Sequence, residues 1–307
     1  MNKNFYQKTG MAIEYIANEL YILKKGDRMP SISDFQKQFS ISRGTVQNAL
    51  SFLKDEEAIV TKSRGHMGTH IEEIDYTILQ KYVALNQITG TMPLPYSKLY
   101  EGLATGLYLS FLNEETKLSI AYIRGSDERV HTLENDLFDF TVISRFAAEE
   151  MIEKGKEIDI VLSFGPRSYL SRHVLIFRPG IELILKDDLR VGIDTASLDH
   201  AFLTNQVFQD YDVDFIELPG NQMIHLLRDD QIDVAIWNHD ELIDKNIQDM
   251  RFNELPASHQ YDEIGEAVVV CRKHNRLIST ILNRILSVKE IRRIQEEVKQ
   301  NILIPRY

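Results

Sequence analysis

Three residues on one side of a short stretch have the chemistry to read nucleic-acid bases. In SRGTVQNALSFL (42–53), Arg43, Gln47 and Asn48 recur at helical spacing opposite Val46, Ala49, Leu50 and Leu53. An arginine fork pairs bidentately with guanine, and a side-chain amide with adenine. Carboxylates, which read few base edges, are absent from this face. Ser42 and Thr45 stand where the helix would begin, and hydroxyls and free backbone amides there favour a phosphate. Downstream, Lys62, Arg64, Gly65 and His66 occupy a loop that could reach a minor groove or the sugar-phosphate backbone. Upstream, Arg28 and Ser31 lie where a preceding helix would meet phosphate. Each has a plainer reading: Arg28 as half of a local salt bridge, His66 as a solvated loop residue, the whole face as polar surface. His66 and His70 are four apart, but on a hairpin rather than a helix, so they make a poor metal pair.

Those side chains need a frame. GMAIEYIANELYIL (10–23) places Ile13, Ile16, Ala17, Leu20 and Leu23 on one helical face, and Gly26 and Pro30 end it. SISDFQKQFS (31–40) reads as a second helix capped by Ser31 or Ser33, with Phe35 and Phe39 on one face. A third runs over 41–57 from Ser42. AIVTKSRGHMGTHIEE (58–73) reads as two strands around a loop in which Gly65 and Gly68 permit a tight turn. Three helices and a hairpin, with a short break between the second and third helices, are the arrangement of a winged helix-turn-helix. In that arrangement the third helix enters the major groove.

Residues 76–307 have a different grammar. Short apolar strands are expected at 83–89, 118–123, 138–144, 159–164, 173–178, 189–194, 213–218, 233–237 and 266–272. Amphipathic helices intervene, such as 96–115 and 221–230, and 279–301 reads as one closing helix. The alternation predicts α/β units with mainly parallel sheets. Its length suits two lobes rather than one compact sheet. The boundary with the head falls in EEIDYTILQK (71–80), which gives a head of 1–75 and an effector region of 76–307. Gly102 and Gly106 mark close helix packing. The region has no GxSxG elbow, HExxH, GxxxxGK[ST] or paired cysteines, so no catalytic residue, metal or cofactor is expected. His239, Asp240 and Glu241 are adjacent in the chain, and adjacent residues rarely converge on one ion.

Bulk properties narrow the compartment and the partners. The single cysteine, Cys271, excludes a disulfide framework and fits a reducing compartment. The N-terminus has no apolar signal core, and the longest apolar runs are strand-sized, so a cytoplasmic protein without membrane partners is expected. Net charge is −11, carried wholly by residues 76–307; residues 24–70 hold eight basic and five acidic residues. Only the N-terminal part could approach a phosphate backbone without strong repulsion.

The segment 26–71 resembles the DNA-binding head of GntR-family bacterial regulators. The resemblance rests on Gly26-Asp27-Arg28-Met29-Pro30-Ser31, on Ser42-Arg43 with Thr45-Val46, on Ala49-Leu50 and Leu53, and on Arg64-Gly65 with Gly68-Thr69. The remainder, through MPLPYSKLYEGLATGL, DFTVIS, LRVGID and DVAIWNHDEL, is similar to YhfZ-type regulators. Those join such a head to two lobes resembling type 2 periplasmic binding proteins. The resemblance implies a ligand-responsive regulator, a homodimer on a palindromic operator in double-stranded DNA. Two positions depart from the family pattern: Gln47 and Ser33 stand where relatives often carry a cation. Base preference and salt dependence should therefore differ from those of relatives.

In two-lobe folds ligands sit between lobes at strand C-terminal ends. Here that rule selects Thr91, Met92, Ser97, Ser144, Arg145, Asp194, Ser197, Asp199, Asn238 and Asp240. Lobe 1 is expected at about 80–168 and 266–307 and lobe 2 at about 172–263, with crossings near 168–174 and 263–268. The mix of hydroxyls, amides and carboxylates suits a small polar effector carrying an amine and an acid group, although many such residues serve only as helix caps. The competing readings are a small-molecule-binding protein with a degenerate head, and an α/β enzyme.

Overall fold

The computed structural model describes residues 3–83, 85–255 and 259–307. Residues 1 and 2 of the expected head and Ala84 of the expected strand 83–89 lie outside the described residues. The chain divides into two compact units. The first comprises the head through Ile88 together with Asn113–Lys117 and Asn275–Ile281; the second holds the rest.

The head begins with α1 (Lys3–Tyr21), α2 (Ile32–Phe39) and α3 (Arg43–Asp55). The hairpin β1 (Ile59–Ser63) and β2 (Thr69–Ile74) follows, and α4 (Tyr76–Gln80) closes it. The buried stripe of α1 is Ala12, Ile16, Ala17, Leu20 and Tyr21, turned slightly from the expected one: Ile13 and Leu23 are only half-buried. It meets Phe35, Val46, Ala49 and Leu53, all without measurable exposure. Ser31 caps α2 in a reciprocal box with Asp34, and Ser40 in the left-handed region (φ 54°) turns the chain toward α3. Residues 26–29 run beside β2, with Gly26 N–H to Ile71 O and Met29 N–H to Thr69 O both at 2.9 Å. The hairpin thus gains a third extended edge.

The second unit is built from two five-stranded sheets with helices between strands. Strand β3 (Gln87–Met92) leads to α5 (Lys98–Ser110), β4 (Lys117–Tyr122), α6 (Ser126–Glu134), β5 (Phe140–Ser144), α7 (Arg145–Glu153) and β6 (Ile158–Ser163). The chain then crosses to β7 (His173–Phe177), β8 (Arg190–Ile193), α8 (Leu198–Phe208) and β9 (Asp214–Glu217). Next come α9 (Met223–Arg228), β10 (Val234–Asn238), α10 (His239–Asp244), β11 (Arg251–Glu254) and α11 (His259–Ile264). It returns through β12 (Ala267–Arg272) and ends with α12 (Arg276–Ile285) and α13 (Val288–Lys299). The strand orders are β4-β3-β5-β12-β6 and β11-β7-β10-β8-β9.

Three expectations are corrected. The sheets are mixed rather than mainly parallel: β12 is antiparallel to β5 and β6, and β7 is antiparallel to β10 and β11. Strand β7 follows β6 of the other sheet with no helix between, and β12 follows β11 of the other sheet through α11, so neither is joined to a neighbour in its own sheet by a helical crossover that would force it parallel. The closing helix is two helices, because Ser287 accepts a hydrogen bond from Glu290 N–H and restarts the helix as α13. Strand β11 escaped notice, being four residues of which three are polar.

Gly102 and Gly106 do mark close packing. A methyl group at Gly102 would lie 2.7 Å from Gln295 Cα, and one at Gly106 would lie 2.8 Å from an Ile291 methyl, both on α13. Gly106→Leu is therefore expected to cost about 1–3 kcal/mol by overpacking. Urea denaturation checks it, with an unchanged far-ultraviolet circular dichroism spectrum showing that the fold persists.

Candidate functional site

In the head, α3 buries Val46, Ala49, Leu50 and Leu53 and exposes Arg43, Gln47 and Asn48. Among the described residues those three exposed side chains make no hydrogen bond or ion pair, so they stand ready for an external partner. Ser42 caps the helix, accepting from Thr45 N–H at 3.3 Å, and its hydroxyl lies 2.8 Å from that of Thr45. The Ser31 hydroxyl donates to Asp34 Oδ2 at 2.7 Å, so its first role is to cap α2. On the wing, Arg64, Gly65 and His66 are exposed, with Gly65 at φ +57°, while Lys62 reaches Glu72 at 3.7 Å. Arg28 lays its side chain over Gly68, where an added methyl would come within 2.9 Å of its Nε. His70 sits 3.1 Å from Gly26 O and 3.3 Å from Met67 O, tying the wing rather than a metal.

The second unit holds a cavity of about 210 Å³ between its two sheets. Four of the ten expected ligand residues line it: Asp194, Ser197, Asp199 and Asn238. The other six support it or stand apart. Thr91 bonds Thr141 inside the sheet and Met92 is buried beside it. Ser97 and Ser144 cap α5 and α7. Arg145 pairs with Glu266 at 2.6 Å and Glu149 at 3.0 Å. Asp240 accepts from Ser171 N–H at 2.7 Å, where the chain crosses between sheets.

Two of the lining residues are less available than their type suggests. Asp194 accepts from Gly220 N–H at 2.8 Å, Ala196 N–H at 3.1 Å and the Arg124 guanidinium, with Nε at 3.3 Å. Asp199 accepts from the Ser144 hydroxyl at 2.6 Å. Residues absent from the sequence-based list supply the rest of the wall. Gly125, at φ +82°, lets the chain pass so close to Ala196 O that a methyl would approach to 2.7 Å, and α6 starts there. From α6, Arg129 donates to Ile123 O at 2.8 Å and to the Tyr169 hydroxyl at 3.1 Å. Glu241 holds Lys245 at 2.6 Å, and Lys245 also lies over the Tyr96 ring. His200 is buried and kept below its ordinary pKa by that burial; its Nε2 faces Ile236 O at 3.0 Å. Three buried wall atoms have no hydrogen-bond partner: Ser126 Oγ, Arg129 Nε and Trp237 Nε1. The signal that could have found the first two is the run IRGSDERV, a strand end followed by Gly-Ser and two acidic residues, which is how a helix opens.

Burial raises the Asp199 carboxyl to about 6 against an ordinary 3.8, although the Ser144 bond and Arg129 pull it the other way. A raised carboxyl stabilises the fold while protonated. That contribution is complete below the unfolded value and is lost as pH rises through about 6. The difference between the two values corresponds to roughly 3 kcal/mol. Asp199→Asn keeps an acceptor for Ser144 without the titration. The stability of the variant relative to wild type should rise by about 2 kcal/mol between pH 4 and pH 7. Urea denaturation across that range is the check, and a flat difference would contradict it.

A family model for the YhfZ C-terminal domain matches residues 75–307, and a helix-turn-helix domain model matches residues 24–71. The chain is 30% identical over 307 residues to YhfZ of Escherichia coli (strain K12), with all of both chains covered. The crystal structure of YhfZ from Shigella flexneri matches with a TM-score of 0.62 at 31% identity, covering 75% of this chain and 97% of that one. AbpA from Streptococcus pneumoniae, an amino acid ABC transporter substrate-binding protein solved bound to L-arginine, matches with a TM-score of 0.50. Its identity is 15%, over 70% of this chain and 95% of that one, which speaks to the fold alone. No helix among the described residues is long and apolar enough to cross a membrane. With a helix-turn-helix head, a two-sheet α/β region of the binding-protein fold, a family model over residues 75–307 and a relative matched along its whole length, the chain belongs to the YhfZ family.

Proposed function

We propose that this chain is a ligand-responsive DNA-binding transcriptional regulator, with a GntR-type head over 1–75 and an effector region over 76–307. It binds a small polar effector between the lobes. The observation that carries the ligand half is the cavity wall, where Ser126, Arg129 and Trp237 each bury a donor that has no acceptor. A buried polar atom left unpaired costs about 1–3 kcal/mol, and three such atoms belong to residues that line this one cavity, which favours a molecule that brings hydrogen-bonding groups. The DNA half is supported by the unpaired, exposed side chains of Arg43, Gln47 and Asn48 on α3.

In this reading α3 lies in the major groove and Arg43 is the principal base reader, with Gln47 and Asn48 beside it. Ser42, Thr45, Ser31 and Arg28 position the head on phosphates, and Lys62, Arg64, Gly65 and His66 place the wing. The protein acts in the cytoplasm as a homodimer on a palindromic site, and effector binding closes the lobes and changes how the paired heads engage DNA. The alternative of a binding protein with a degenerate head draws support from Gln47 and Ser33, which replace cations common in relatives. Catalysis by the lone thiol is disfavoured, since burial pushes Cys271 up to about 12 and leaves almost no thiolate.

A gel shift of the full chain on DNA from upstream of its own gene tests the assignment. Arg43→Ala should weaken binding by about 1–3 kcal/mol while leaving the thermal melting of the protein unchanged. Wild-type binding no stronger to upstream DNA than to random DNA would favour the degenerate-head reading.

A further inference from the structure

The cleft wall has its charges matched and its donors in excess. Three cations, Arg124, Arg129 and Lys245, face three carboxylates, Asp194, Asp199 and Glu241. Every carboxylate already has a partner. Glu241 holds Lys245 and Asp199 takes the Ser144 proton. Asp194 is the most heavily engaged, receiving two backbone N–H groups and both Nε and a terminal nitrogen of Arg124. The atoms left over are the three donors on Ser126, Arg129 and Trp237, whose residues are each more than nine-tenths buried. Ser126 Oγ could accept as well as donate, while Arg129 Nε and Trp237 Nε1 can only donate.

The position of Arg124 is what makes the imbalance selective. It arrives on the loop after β4 in one sheet and caps a carboxylate at the end of β8 in the other. All three wall carboxylates are more than nine-tenths buried, and Asp194 is the one already held by a guanidinium from the other sheet. A guanidinium is permanently charged, so it cannot yield the place by losing a proton. A ligand ammonium would have to displace the Arg124 guanidinium from Asp194.

We infer that Arg124 is a specificity-determining residue: it fills, as a built-in cation, the carboxylate that a ligand ammonium would otherwise occupy. The effector is accordingly a small acid that offers oxygen acceptors and carries no ammonium beside them, such as a 2-oxo or 2-hydroxy acid rather than a 2-amino acid. This rests on the reading of the cleft as the effector site. It replaces the amine-bearing metabolite suggested by residue types alone.

The test is isothermal titration of the full chain with matched pairs: pyruvate and alanine, 4-methyl-2-oxopentanoate and leucine, with lactate and 2-hydroxy-4-methylpentanoate as third members. Wild type should bind the oxo or hydroxy member of a pair about tenfold or more tightly than the amino member. Arg124→Gln frees Asp194 and should move that ratio toward the amino acid by about tenfold, whereas Arg124→Lys keeps a cation and should leave it nearly unchanged. Tighter binding of the amino acids by wild type would overturn the inference while leaving the effector site in place. So would a ratio that Arg124→Gln does not move. Binding of none of the acids by wild type would overturn the cleft reading itself, and the inference with it.

Discussion

A polar group buried between two sheets must find a partner within hydrogen-bond reach, and most of the effector region follows from that requirement. Asp194 gathers the turn after β8, the loop at Gly220 and Arg124 from the opposite sheet. The segments that cross between sheets obey the same rule. Ser168 donates its hydroxyl to Gly165 O at 2.6 Å and accepts from Ala267 N–H at 2.8 Å. The Gln295 amide, almost fully buried, donates to Leu99 O and Ser168 O and so ties α13 to the first crossing. Arg145, Glu266 and Ser163 form another satisfied cluster where the chain returns. Ser126 Oγ, Arg129 Nε and Trp237 Nε1 depart from this rule at the cavity, as Gln206 Oε1 and Arg272 Nε do elsewhere.

In the proposed reading, charge as well as fold separates the two kinds of recognition. The acidic excess lies outside the head, which leaves α3 and the wing to approach an anionic backbone. In the effector region Arg124 pairs with Asp194 between the two sheets, Lys245 pairs with Glu241 four residues before it, and Asp199 and Arg129 are held by uncharged partners. The chain passes from β6 in one sheet to β7 in the other with no helix between them, and returns from β11 to β12 through the single short helix α11. Such connections suit a hinge, because a few backbone dihedrals can absorb a change of lobe angle.

Much of this was legible in the sequence wherever local chemistry decides the outcome. The Ser42 cap, the buried set Val46, Ala49, Leu50 and Leu53, and the tight wing turn at Gly65 and Gly68 follow from spacing and turn preference, and the structure has them. The glycine pair at 102 and 106 announced close packing correctly. What local patterns could not reveal was which strand ends face each other. Asp194, Ser197, Asp199 and Asn238 reached the wall, yet Ser144 and Asp240 spend their side chains on Asp199 and Ser171. Arg124 and Arg129 went unnoticed because their importance lies in partners 70 and 40 residues away. Strand direction failed for the same reason, since it depends on where the chain enters a sheet and not on the strand's own residues.

The central claim is that the cleft and the DNA-reading head are coupled in one chain. The most direct measurement is the affinity of the full chain for its upstream DNA, by fluorescence anisotropy, with and without a saturating concentration of the acid that the cleft binds best. The account predicts a change in dissociation constant of about fivefold or more, the lower range of ordinary allosteric coupling. An unchanged dissociation constant at saturation would contradict it, because a ligand with equal affinity for both states shifts neither.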